Sequence, residues 1–325
     1  MDLIWFDPDN PDRRAVASAV ALLEATRLVD RPFMAGTTLT MYLASLRHGY
    51  DGEPASVALA YDGGGRPVGL LSVYLPRRDN THLAEVTVHV DPLARRRGVG
   101  RALFSRGVDL AREQGRRVLL AGCVDGTPGM EFLAAMGLER GMDEVLRQLD
   151  VASVDWARLD REAEAARPHA KEYELVRMPV PTPEGLLDEI AAMTSAINDA
   201  PTGTLEIEDE VFTGERVRAY EQAQVAGGRR LYRVVARHRG SGELAGQTVA
   251  AVDVERPWFA YQHDTSVVRA HRGHRLGLLL KIEMLRWLRE EEPQVRRMDT
   301  DNAADNAYMI AINEMLGYRV VGRYV

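Results

Sequence analysis

"VTVHVDPLARRRGVGRALF", residues 86–104, joins an alternating apolar run to a basic turn with two glycines and then to a helical pattern. The alternation from Val86 to Val90 describes a strand that buries one face. A helix opening near Gly100 leaves its first backbone N–H groups without carbonyl partners, and they point into the turn. The helix dipole adds positive character at the same place, so the junction draws an anion. Gly98 and Gly100 keep side chains off the approach, while Arg95, Arg96, Arg97 and Arg101 raise the local potential. No Gly-x-x-x-x-Gly-Lys-Ser/Thr motif is present, and the turn lacks the third glycine and later acidic residue of a dinucleotide-binding fold.

The pattern occurs twice. "TSVVRAHRGHRLGLLLKIEML", residues 265–285, again runs from a β-branched segment through a basic turn into a helix. Setting Gly277 on Gly100 shifts one half of the chain onto the other by 177 residues. The first half reads as a strand at Leu3–Phe6, helices at 11–28 and 37–47, and a hairpin turning at Asp62–Gly65. The second reads as a strand at 173–180, helices at 183–199 and 208–224, and a hairpin turning at Gly240–Gly242. Each half then adds the strand, the basic turn and its helix, another strand, a short helix and a last strand. This predicts an α/β (α+β) protein with one domain over 1–150, a charged, helix-favouring linker over 151–171 and a second domain over 172–325.

Composition narrows the chemistry. The 325 residues are 46% hydrophobic and 27% charged, ordinary values for a soluble globular protein and enough for two cores. No apolar run is long enough to span a bilayer, and a cytoplasmic protein without a membrane partner is expected. A net charge of −7 argues against nucleic acid. Cys123 is the single cysteine and sits in the apolar run "RVLLAGCV", which excludes an internal disulfide and favours a core thiol. His271 and His274 lie in a basic turn with no carboxylate placed to complete a metal site, so no metal is expected.

With Arg95-Arg96-Arg97-Gly98-Val99-Gly100 after an extended strand, and the same element order in both halves, the chain resembles the GNAT N-acetyltransferase superfamily in tandem form. The family's turn pattern is Gln or Arg, two residues, Gly, one residue, Gly or Ala. The resemblance implies two mixed, splayed β-sheets flanked by helices, acetyl-CoA as donor, and direct transfer to a small-molecule amine in a ternary complex. It implies that Arg95, Arg96, Arg97, Gly98, Val99, Gly100 and Arg101 hold the pyrophosphate in the first half. Arg272, Gly273, His274, Arg275, Leu276 and Gly277 take that place in the second, although Arg275 stands where the first half has Gly98. A family bulge in the preceding strand, which lets the pantetheine arm pair with freed backbone groups, implicates Val88 and Val90, and Thr265 and Val267.

A base is expected on the polar face of the same strand. Period two gathers Glu85, Thr87 and His89 in the first half and Gln262, Asp264 and Ser266 in the second, with Glu85 and Asp264 the two carboxylates. Tyr261 and His263 are expected on the opposite face. Many family members carry a tyrosine acid four residues before the glycine ending the last helix; those positions hold Leu133 and Asn313. Asn302, Asn306, Met309 and Asn313 share one helical stripe, with Asn306 at the position that holds the cofactor arm in relatives and Asn313 in the catalytic place. The alternatives are a non-catalytic acyl-CoA-binding or sensing protein, or one active domain with the other purely structural. A monomer or weak homodimer is expected.

Overall fold

The computed structural model describes residues 1–325. Two compact units form: one of Met1–Met142, Thr204–Asp209 and Gly322–Val325, the other of Asp143–Gly203 and Glu210–Val321.

The first unit holds a five-stranded sheet in the order β1 (Asp2–Trp5), β2 (Ser56–Tyr61), β3 (Pro67–Tyr74), β4 (Leu83–Val90) and β5 (Val118–Leu120). The first four strands are antiparallel, and the β2–β3 hairpin is tightened by the Asp62 carboxylate, which accepts from Gly64 N–H at 3.0 Å and Arg66 N–H at 2.9 Å. β5 runs parallel to β4 but pairs only from Leu83↔Val118 to Glu85↔Leu120. Beyond that point the two strands part. Helices α1 (Arg13–Asp30) and α2 (Leu39–His48) bury Val16, Ala19, Leu22, Tyr42 and Leu46 against Leu59 and Leu70. On the other side α3 (Val99–Glu113) and α4 (Pro128–Ala135) cover Leu71, Val73 and Val86. α3 comes so close to the sheet that a Cβ on Gly107 would lie 2.7 Å from Val86.

The second unit's sheet has seven strands in the order β12, β6, β11, β10, β9, β8, β7, the last residues of β12 from Gly322 being counted with the first unit. These are β6 (Glu144–Asp150), β7 (Tyr173–Met178), β8 (Arg229–His238), β9 (Leu244–Asp253), β10 (Phe259–Val267), β11 (Arg297–Ala303) and β12 (Arg319–Tyr324). The helices are α5 (Trp156–Ala166), α6 (Leu187–Thr194), α7 (Gly214–Ala226), α8 (Leu276–Glu291) and α9 (Ala307–Leu316). β9 is buried along its whole length; Gln247 Nε2 donates to Thr194 at 3.0 Å and Thr248 meets Thr265 at 2.7 Å.

Two segments sit differently from the sequence expectation. Glu144–Asp150, read as the last strand of the first half, pairs antiparallel with β11 from Arg297↔Asp150 to Ala303↔Glu144. The segment 151–171, read as a linker, contributes α5, whose Leu159, Ala163 and Ala166 are buried in the second unit's core. Helical pattern alone could not tell a solvated connector from a helix with one apolar stripe. α6 and α7 are also shorter than their helical patterns, because short 3-10 turns at Glu184–Leu186 and Ser195–Asp199 flank α6 and the Thr213 hydroxyl caps α7 only from Gly214 onward.

Candidate coenzyme cavity and catalytic groups

In the first unit the chain leaves β4 through a short 3-10 turn at Pro92–Ala94, started by Asp91, whose carboxylate accepts from Leu93 N–H at 2.8 Å. Arg96 and Gly98 then take left-handed conformations, with φ of 62° and 84°. Alternating handedness of this kind curls successive N–H groups inward as a concave anion nest. No side chain caps α3, so its first-turn N–H groups remain available. A Cβ on Gly98 would meet nothing within 4 Å, and one on Gly100 would stand 3.4 Å from Phe132 and 3.5 Å from Val90. A phosphoanhydride fits this turn.

The turn opens into a cavity of about 450 Å³. One wall is Thr87–Val90 of β4, the other Gly122–Val124 beyond β5, with α4 and its flanking residues Thr127 and Met136 over them. This is the gap left where β4 and β5 part, bounded at one end by Arg96, Gly98, Gly100 and Arg101. Val88 and Val90 line it, but β4 carries no bulge: its register with β3 is unbroken from Gly69↔Val90 to Tyr74↔Glu85. The edge of β4 is free because β5 diverges, not because β4 bends.

The expected basic residues divide their roles. Arg95 is held in a bidentate pair with Asp30 at 2.9 and 2.5 Å and donates to the Val90 carbonyl at 3.3 Å, so it fixes the turn and its charge is met within the protein. Arg97 lies outside the lining; the Asp62 carboxyl is lowered chiefly by the hydrogen bond it accepts from Arg66 N–H, with Arg97's charge the smallest contribution. Val99 packs inward, so only its backbone serves the turn. Arg96, Arg101 and Arg31 face the cavity.

Among titratable groups, His89 stands in the cavity and Glu85 does not. Burial first, then the Arg31 and Arg95 charges, push the His89 imidazole down to about 4 against the opposing pull of Asp30. It is neutral throughout the neutral range. Glu85 lies where β4 and β5 still pair; crowding by protein raises its carboxyl, while a hydrogen bond from Thr87 at 3.4 Å pulls the other way. Leu133, at the family's acid position, packs with the core.

The second unit keeps the same turn with one exchange. Gly273 and Arg275 are left-handed, φ 86° and 56°, at the positions of Arg96 and Gly98. The backbone curl therefore survives Arg275. Arg272 repeats Arg95, donating to the Val267 carbonyl at 3.1 Å and pairing with Asp199 at 2.6 Å. Asp199 also takes Arg269 at 2.5 Å. His274 leans on Tyr173 and bonds the His169 carbonyl at 2.9 Å, and Leu276 is core. A Cβ on Gly277 would meet Ile312 at 3.4 Å and Tyr308 at 3.5 Å.

The bulge missing from β4 is present in β10. Register with β9 shifts between Gln262↔Ala250 and Thr265↔Thr248, so His263 and Asp264 together oppose Val249. The extra residue breaks the period of two. Asp264 consequently does not share a face with Gln262, whose amide bonds Thr248 at 2.8 Å and the Val249 carbonyl at 2.7 Å. It joins Tyr261 and His263 instead, near Asp301, which accepts the Tyr261 hydroxyl. Burial, Asp301 and Glu210 push the Asp264 carboxyl up to about 6 against Arg233. Burial and Arg229 hold the His263 imidazole down at about 3.

The asparagine stripe is committed internally. Asn306 caps α9 by accepting from Met309 N–H at 3.1 Å. Asn313 is fully buried, accepting from Lys281 Nζ at 2.6 Å and donating to Asn302 at 3.3 Å. Amides at helical spacing therefore mark a cap and a buried network here, and no open groove.

The acetyltransferase (GNAT) family model matches residues 24–138, which contain the first turn and the lining of its cavity except Tyr324. Along its whole length the chain superposes on a tandem GNAT protein from the clavulanic acid biosynthesis pathway, with TM-score 0.80, 30% identity and 96% of that protein covered. This chain belongs to the GNAT acetyltransferase family. Two more distant GNAT structures share the fold over 99% of the chain. One is a GCN5-related N-acetyltransferase from Sphaerobacter thermophilus, at 15% identity, 94% coverage and TM-score 0.65. The other is the glucosamine N-acetyltransferase region of a fungal multi-domain GH3 β-N-acetylglucosaminidase, at 13% identity, 37% coverage and TM-score 0.68. No curated protein matches the sequence significantly. The alternation in β4 placed His89 on the polar face but gave no reason to prefer it to Glu85. The Asp30 and Asp199 clamps left no sequence signal, since 65 and 73 residues separate them from their arginines.

Proposed function

We propose that the first unit of this tandem GNAT protein transfers acetyl from acetyl-CoA to a small-molecule amine, and that His89 is the base. The observation that carries the reading is the continuity of the nest at Arg96–Gly100 with the gap between β4 and β5, a path suited to a pyrophosphate followed by an extended arm. Arg96, Arg101 and the first-turn N–H groups of α3 would hold the phosphates, and the open edge of β4 from Thr87 to Val90 would pair with the arm's amides. The thioester supplies an activated acyl carbon. His89, neutral and in the cavity wall, takes the proton that the amine loses as its nitrogen bonds to that carbon; the carbon–sulfur bond then breaks, and coenzyme A leaves as the thiol after its sulfur takes up a proton from solvent or from the His89 imidazolium.

The test is calorimetric titration with acetyl-CoA, followed by thiol release with a panel of primary amines. One coenzyme per chain, lost in Gly100→Val, is expected. Unchanged binding in that variant would move the coenzyme elsewhere. Thiol release no faster than hydrolysis with every amine, despite binding, would leave a sensor. A second reading places transfer in the second unit, favoured by Asp264, whose carboxyl near 6 suits a base at neutral pH.

A further inference from the structure

The gap between β4 and β5 can admit an extended arm only if its far wall stays out. Strands pair about 4.8 Å apart, so an arm seated between two of them needs a separation of about 9–10 Å with no bond across it. Counting on from Glu85↔Leu120, Gly122–Val124 stand level with Thr87–His89 on the far side. On their outer edge runs Gly322–Val325, part of the same unit. Cys123 N–H donates to the Val325 carbonyl and Val325 N–H to the Cys123 carbonyl, both at 2.9 Å, while Asp125 N–H donates to the Arg323 carbonyl at 3.0 Å. Val124 and Tyr324 are bridge partners.

The side chains lock together as the backbones do. A Cβ on Gly122 would lie 2.5 Å from Tyr324 Cε1, so the ring occupies the space that a side chain at 122 would fill. Gly322 is packed in the same way on Phe33, with 2.4 Å left for a Cβ. Gly122, Cys123, Val124 and Tyr324 all line the cavity, and Tyr324 is the one tyrosine that does.

We propose that Tyr324 is a positioning residue for the arm of an acyl-coenzyme A. Its ring backs Gly122 and holds the far wall at the width the arm requires, opposite Thr87–His89. The proposal rests on the coenzyme reading of the cavity. It assigns binding of the first unit's thioester to a strand that the duplicated pattern places in the second half, and it requires the ring, not the hydroxyl.

The test uses the full chain with Tyr324→Ala, Tyr324→Phe and Gly122→Ala, the last displacing the ring without removing it. Tyr324→Ala and Gly122→Ala should raise KM and Kd for acetyl-CoA about tenfold, equivalent to one lost packing contact of about 1.4 kcal/mol, with kcat within about twofold. Tyr324→Phe should match the unaltered protein. Cys123, the sole cysteine, gives a readout without ligand: its alkylation by N-ethylmaleimide should accelerate about tenfold in Tyr324→Ala and not in Tyr324→Phe. Unaltered protein that binds acetyl-CoA while both wall variants bind equally well overturns this proposal alone. A loss of kcat in Tyr324→Phe overturns it in favour of the hydroxyl. Unaltered protein that binds no acetyl-CoA overturns the coenzyme reading and this proposal with it.

Discussion

His89 is held neutral, at the expense of base strength, because three effects that disfavour its charge outweigh one that favours it: lost hydration, Arg31 and Arg95 against Asp30. With its imidazole at about 4, the acid limb of kcat/KM should fall near pH 4–5, well below the ordinary histidine value of about 6.5. His89→Ala should lower turnover by about 10²–10⁴ without a matching rise in the Kd for acetyl-CoA. A limb near pH 6 that vanishes in Asp264→Asn would instead place the working base in the second unit. Lys281 poses the opposite problem, since it has no part in the proposed chemistry. Its ammonium is buried over the Tyr318 ring and beside Asn313, and burial with the Arg147 charge brings it down to about 7. The unfolded chain holds that proton up to about pH 10.4, so between 7 and 10 it binds more protons than the native state and stability rises with pH. Urea titrations at pH 7, 8 and 9 should show this rise in the parent and a flatter profile in Lys281→Met. An identical rise in both would assign the slope to another group.

Within single elements, the turn's handedness matters more than its residue types. Gly98 is left-handed with open space around its Cβ position, so Gly98→Ala should cost about 1–2 kcal/mol from backbone strain alone. Arg275 already bears that strain, and Arg275→Gly should stabilise the chain by about 1 kcal/mol, read as a higher urea midpoint at constant slope. Destabilisation by Arg275→Gly would mean that its side chain contributes more than its backbone costs. The sequence made the strand, turn and helix legible because apolar period, glycine and charge are local signals. It left open whether Arg275, standing where the first half has Gly98, keeps the turn's backbone shape, since nothing local revealed that Gly273 and Arg275 take the left-handed conformations of Arg96 and Gly98. The resemblance implied a bulge before this turn but not its position: one residue inserted at His263–Asp264 carries Asp264 to the face of Tyr261 and His263, and strict alternation predicts the reverse. Asn306 and Asn313 misled for a related reason. A cap and a buried amide share the spacing of a groove lining, and only the partners, Met309 N–H and Lys281, tell them apart.

For the molecule as a whole, the 177-residue repeat correctly announces two GNAT folds but not which strands build each. The repeat reports local order, whereas strand pairing is decided by contacts far apart in sequence. Asp143–Asp150 closes the first half in sequence yet belongs to the second unit, while Thr204–Asp209 and Gly322–Val325 belong to the first. In the first unit Asn80 exchanges bonds with Glu208, 3.2 Å to its carbonyl and 2.7 Å from its N–H, and His82 meets the Glu206 carbonyl at 2.9 Å. A fragment of residues 1–150 would lack both segments, leave the edge at Gly122–Asp125 unpaired and carry Glu144–Asp150 without its β11 partner. Unpaired edges are templates for association. The expected outcome is a fragment that aggregates or shows no cooperative urea transition, and that binds no acetyl-CoA even though it contains the whole turn from Arg95 to Arg101. A monomeric fragment with a sharp transition and the affinity of the full chain would show that the first half is self-sufficient and that Gly322–Val325 is dispensable to the cavity.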